Sequence, residues 1–119
     1  MAAAESFSKK EHIIKSREFR DVYTKGVSFR KGAVILYTMP NGLGWNRLGF
    51  SISARNVKRA TRRNRIKRLF REAYRRTKSK TNSGHDIFLI IKKDDENVGA
   101  YKQAEKILLG LLKKAGITQ

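Results

Sequence analysis

The chain has no cysteine among its 119 residues, which removes disulfides, thiolate zinc sites and thiol nucleophiles together. That absence fits a reducing, cytoplasmic setting. Histidine is almost as scarce, and neither His12 nor His85 has a partner at ligand or acid–base spacing. The one cluster of acids, Asp94-Asp95-Glu96, is expected in a turn that leads into the last helix and complements its positive end. No glycine loop of the phosphate-cradling kind is present. Nor is there an apolar run long enough for a signal peptide or a membrane span, so no membrane partner is expected. Hydrolytic chemistry needs positioned acids, bases or metal ligands. The sequence offers neither a catalytic constellation nor a metal site.

Negative charge is the next shortage. Ten Asp and Glu stand against 28 Lys and Arg, a formal net charge of +18. A domain of this size repels itself at that charge unless a polyanion is its usual neighbour, and nucleic acid is the leading candidate. The length suits one domain with a real core. Residues 1–12 read as a flexible tail and residues 13–119 as a single nucleic-acid-binding domain, for which the motifs below make RNA the expected partner.

Periodicity gives the elements. A helix is expected over Arg17–Lys25, with Ser16 as its cap, Gly26 as its stop, and Phe19, Val22 and Tyr23 on one face. Ala33–Met39 reads as a strand ended by Pro40-Asn41-Gly42, with Ile35, Tyr37 and Met39 pointing one way and Val34, Leu36 and Thr38 the other. Ser28–Arg30 can add a short strand. Arg47–Ser53 reads as a strand with Leu48, Phe50 and Ile52 inward and Ser51 on the opposite face. A long helix over Val57–Lys78 follows. Asp86–Ile91 is apolar enough for a strand buried on both faces. A final helix over Gly99–Ala115 carries Tyr101, Ala104, Ile107, Leu108, Leu111 and Leu112 as its stripe, with Gly110 a soft spot and Gly116 a stop. The order α-β-β(-β)-α-β-α predicts an α+β sandwich, with helices mainly on one side of a small sheet.

The long helix carries the strongest signal. At about 100° per residue, Ile66, Leu69, Phe70, Ala73 and Tyr74 form a core-facing stripe. Asn64, Lys67, Arg68, Arg71, Arg75 and Lys78 share the other side. Between Arg55 and Lys80 there are thirteen basic residues and one acid, Glu72, for which Arg68 and Arg76 are candidate i,i+4 partners. Arginine outnumbers lysine in this run, and its planar fork suits bidentate phosphate contacts. Asn64 suits either a base edge or 2′-hydroxyl, or a plain polar place near the helix start.

Arg63-Asn-Arg-Ile-Lys-Arg-Leu-Phe-Arg-Glu72 resembles the signature of the bacterial ribonuclease P protein family, an Arg-Asn-Arg-x-Lys-Arg-x-x-Arg pattern. Phe19-Arg-Asp-Val-Tyr23, Val34-Ile-Leu-Tyr-Thr38, Arg47-Leu-Gly-Phe-Ser-Ile-Ser53 and Gly84-His-Asp-Ile87 resemble the family's flanking segments. One stretch, Ser53–Arg63, departs from the usual lysine pair and Val-Gly. There Asn56 can take a left-handed turn in place of glycine, and Arg55 can supply charge.

The resemblance implies a left-handed βαβ crossover and a role as the protein subunit of a ribonucleoprotein endoribonuclease. It implies two partners, ribonuclease P RNA and precursor tRNA, and no protein partner is evident. The RNA subunit would hold the Mg²⁺ and remove the 5′ leader of the tRNA. By the same resemblance Arg63, Asn64, Arg65, Lys67, Arg68 and Arg71 face the catalytic RNA, with Arg75 continuing that face. Phe19, Tyr23, Ile35, Tyr37 and Ser51 would line a cleft for the leader, where aromatic rings can stack unpaired bases. A structural ribosomal protein would share the charge and size but needs no such aromatic surface. A DNA-binding protein finds no helix-turn-helix spacing here.

Overall fold

The strand His85–Ile91 (β4) has the most continuous apolar run, and it lies inside the sheet, between two neighbours. The computed structural model describes residues 16–78, 82, 84–94 and 100–117; the expected tail at residues 1–12 lies outside them. In chain order the other elements are α1 (Ser16–Lys25), β1 (Val27–Lys31), β2 (Val34–Pro40), β3 (Arg47–Ser51), α2 (Ala60–Thr77) and α3 (Tyr101–Lys114). The sheet order is β1-β2-β4-β3. β2 pairs antiparallel with β1 and β4, while β3 runs parallel to β4 and reaches it through α2. The short strand anticipated at Ser28–Arg30 is real and is an edge of the sheet.

Alternation along β4 divides the interior. Ile87, Leu89 and Ile91 join Val34, Leu36 and Leu48 under Ile66, Phe70, Ala73 and Tyr74 of α2 and the apolar stripe of α3. Phe88 and Ile90 point the other way and meet Val22 of α1, with Phe19, Ile35, Tyr37 and Met39 around them. The helices therefore divide two and one between the faces, and α1 stands alone. Among the described residues, the α2/α3 layer buries nineteen and the α1 layer three. At about 1.5–3 kcal/mol per large apolar side chain, the first layer carries most of the stability.

Several boundaries differ from the sequence reading. α2 starts at Ala60, because the amides of Asn56 and Val57 turn back to the Ser53 carbonyl at 3.1 and 2.9 Å. Asn56 does not take a left-handed turn: no described residue other than glycine has positive φ. Its amide Nδ2 instead donates to the Ile91 carbonyl at 3.2 Å, tying the turn to the end of β4. β3 ends at Ser51, and α3 starts at Tyr101; Gly99 lies outside the described residues, as does the side chain of Ser16.

Gly26 does close α1, but through close approach. A Cβ there would sit 2.5 Å from the Val22 carbonyl oxygen and 2.6 Å from that of Thr38. Gly116 ends α3 in the left-handed region at φ 72°. Gly110, a weak point by helix propensity, leaves room for Lys31, whose Nζ would lie 2.8 Å from an added Cβ.

Candidate RNA interface

On the outer side of α2, Asn64, Arg68, Arg71, Glu72 and Arg75 line an open groove of about 470 Å³. The helix brings them together because they recur at three- and four-residue spacing. Asn64, Arg68 and Arg71 are exposed. The Arg71 guanidinium lies 5.3 Å from the Phe50 ring centroid, so a side chain of β3 supports this wall from below. Glu72 takes Arg75 and Arg76 as its partners rather than Arg68. Arg75 Nη2 donates to Oε1 at 2.6 Å and Nε to Oε2 at 3.1 Å, and Arg76 Nε donates to Oε1 at 3.1 Å. These bonds, that of Arg75 first, hold the Glu72 carboxyl down to about 2.

The remaining signature residues separate. Arg63 turns back along the chain, and its Nη1 donates to the carbonyls of Val57 and Lys58 at 2.8 and 3.0 Å. Its guanidinium clips the segment entering α2 instead of facing outward with the groove. Arg65 lies around the helix from the groove, in a second depression of about 820 Å³ lined also by Arg55, Lys58, Arg59, Arg62 and Asp94. Lys67 lines neither depression and is half-buried. Sequence reasoning passed over this basin, although the charge run does begin at Arg55. Asp94, which lies in the segment leading toward α3, accepts a bond from Arg62 Nε at 2.9 Å; Asp95 and Glu96 lie outside the described residues.

The second surface lies on the opposite face of the sheet. Phe19 sets its ring edge-on to Phe88 at 3.9 Å and runs parallel to Tyr23 at 6.1 Å. Tyr23 in turn meets Tyr37 at 4.9 Å. Ile35 and Ser51 flank Ile90 across the sheet, one row along from the Tyr37–Phe88 pair. Phe19, Tyr23, Ile35, Tyr37 and Ser51 thus share one surface, built by α1, β2 and β3. Tyr23 is 49% exposed, so its ring is open to a partner. Partial burial, followed by the neighbouring Tyr23, raises the phenol of Tyr37 above its ordinary value.

A polar network absent from the sequence reading pins one end of α1. Asp86, 3% exposed on β4, accepts both Nε and Nη2 of Arg47 at 2.7 and 2.6 Å, and Asn41 Nδ2 at 2.9 Å. The remaining arm of Arg47, Nη1, donates to Glu18 on α1. Gly26 fixes the other end of the helix. Thus the carboxylates of Asp86, Glu18, Asp94 and Glu72 are each engaged by guanidinium groups. No group of three or more His, Cys, Asp or Glu that could hold a metal ion occurs among the described residues.

A family model described as Ribonuclease P matches residues 7–116. The chain belongs to the ribonuclease P protein family. It is 41% identical over 110 residues to the ribonuclease P protein component of Clostridium botulinum strain Loch Maree, covering 92% of this chain and 97% of the relative. The corresponding protein of Alkaliphilus metalliredigens is 38% identical over 100 residues, 84% of this chain and 88% of the relative. Among solved structures, the RNase P protein of Staphylococcus aureus superposes with a TM-score of 0.79 at 29% identity, covering 92% of this chain and 98% of that one. The RNase P protein from Thermotoga maritima gives 0.75 at 28%, covering 87% and 96%. Membership of this family accounts for the shared α+β order and for the signature on α2.

Proposed function

We propose that this chain acts as the protein subunit of ribonuclease P. Its α2 groove binds the catalytic RNA, and the cleft between α1 and the sheet holds the 5′ leader of precursor tRNA. The observation that carries this reading is the groove itself: Asn64, Arg68 and Arg71 of the family signature, with Arg75, converge on one outward face. Fixed cations in that geometry replace condensed counterions along a phosphate backbone. The aromatic row Phe19–Tyr23–Tyr37 offers unpaired bases a stacking surface that does not read sequence. Bond cleavage, with the Mg²⁺ it requires, belongs to the RNA subunit; the protein's side chains bind and orient. No described helix is long and apolar enough to cross a membrane, and the site of action we propose is the cytoplasm.

The test combines the purified protein with a bacterial ribonuclease P RNA and follows cleavage of a precursor tRNA at low Mg²⁺. Cleavage is expected to rise on adding the protein, which alone leaves the substrate intact. Cleavage by the protein after rigorous removal of RNA, or no stimulation of the RNA at any Mg²⁺ concentration, overturns the reading.

A further inference from the structure

Glu72 is the one acid in α2, and it stands among Arg68, Arg71, Arg75 and Arg76 in the wall of a surface otherwise built to attract an anion. Charge counting makes it a defect. A carboxylate facing a phosphate backbone lowers affinity, and exposed ion pairs at this spacing add little to a helix. The geometry says more. Arg75 meets both carboxylate oxygens through two of its nitrogens. Arg76 Nε shares Oε1 of that carboxylate with Arg75, while its guanidinium rests 5.4 Å from the ring centroid of Tyr101 on α3. The Tyr101 hydroxyl donates to Glu105 at 3.0 Å. The carboxylate is therefore anchored through Arg76 to a second helix and presents a fixed, two-pronged seat to Arg75.

We infer that Glu72 is a positioning residue of the RNA groove: it holds the Arg75 fork in the groove wall before RNA arrives. The inference rests on the groove being the RNA-binding face. A long side chain surrenders rotamer freedom when a ligand fixes it, and one already fixed surrenders less. Glu72 also separates arginines that would otherwise repel one another across the i,i+3 and i,i+4 gaps. Its carboxyl, held down to about 2 chiefly by Arg75, stays charged in any ordinary binding buffer.

The two accounts predict opposite signs. Binding of ribonuclease P RNA is measured over a salt series for the parent, Glu72→Gln, Arg75→Ala, the double variant and Arg71→Ala, with a melting curve for each. Positioning predicts that Glu72→Gln weakens binding about threefold or more, although it adds net positive charge, and that the loss disappears in the Arg75→Ala background. Tighter binding with a salt slope steeper by nearly one unit overturns the inference, since Glu72 is then only a charge. An undiminished loss in the Arg75→Ala background overturns it too, because Glu72 then acts through the fold at large. Should Glu72→Gln melt early, Glu72→Asp carries the same test: it keeps the charge and shortens the reach, so positioning predicts weaker binding and parental affinity overturns it. If Arg71→Ala binds like the parent, the groove is not the RNA face, and the reading beneath the inference falls with it.

Discussion

On the proposed function, the α2 groove and the α1 cleft solve two binding problems with opposite means. The groove is a row of cations on a helix whose other side is fastened to nineteen buried residues. Its affinity comes from charge, which tolerates small displacements because Coulomb attraction falls off slowly. The cleft is a row of neutral rings resting, among the described residues, on three buried ones and pinned at its ends by the Arg47 network and Gly26. Stacking requires contact, so displacement of α1 matters there as much as loss of a ring. The robust support lies under the forgiving site, and the thin support under the demanding one.

That contrast breaks most sharply at Arg47. Arg47→Ala leaves Asp86 as a carboxylate at 3% exposure without its bidentate partner, and breaking a buried pair from one side costs about 3–5 kcal/mol. We expect a large drop in melting temperature. Below the new transition, discrimination between leader-bearing and leaderless tRNA should be lost, while the RNA subunit still binds. A parallel loss of RNA-subunit affinity would mean that the two surfaces are not mechanically separate.

Tyr37→Ala probes the cleft without releasing α1. It should remove about 1–3 kcal/mol of affinity for precursor tRNA and leave mature tRNA and RNA-subunit binding unchanged. Equal weakening with both tRNA forms, together with a lower melting temperature, would make Tyr37 a packing residue only.

The smallest effect concerns acid. Glu72 has its carboxyl depressed from the ordinary 4.5 to about 2. The stability it contributes is therefore fully present above about pH 4.5 and is lost as the pH falls toward 2. Melting curves of the parent and Glu72→Gln should stay a constant distance apart from pH 8 to 5 and converge below 4.5. A separation that does not change between pH 8 and pH 2.5 would show that the bridge to Arg75 and Arg76 is not formed in solution.

What could be read in the sequence follows the same division. The groove residues lie on one helix, so the helical period alone assembles Asn64, Arg68, Arg71 and Arg75. The seven elements are also legible, since each carries its own apolar pattern and terminators. The face on which α1 packs is not, because a pattern names the apolar side of a helix without naming what it meets. The network of Glu18, Arg47, Asp86 and Asn41 joins residues 29, 39 and 45 positions apart, and no local rule connects them. The local bonds of Arg63 are illegible for a related reason. Its charge matches the signature, but two bare carbonyls at the entrance to α2 lie within its reach and claim its guanidinium.

One strand touches both surfaces. Phe50 lies beneath Arg71, and its neighbour Ser51 opens into the cleft, with Cα atoms about 3.8 Å apart. Among the described residues β3 is an edge strand paired with β4 alone, so its register hangs on that ladder. A slip of one residue would turn every side chain of the strand to the wrong face. Phe50 would then point into the cleft, and the serine would sit under the arginine. Both surfaces would be spoiled by the same error. On the proposed function, correct pairing of β3 is therefore one shared condition for the RNA groove and for the leader cleft.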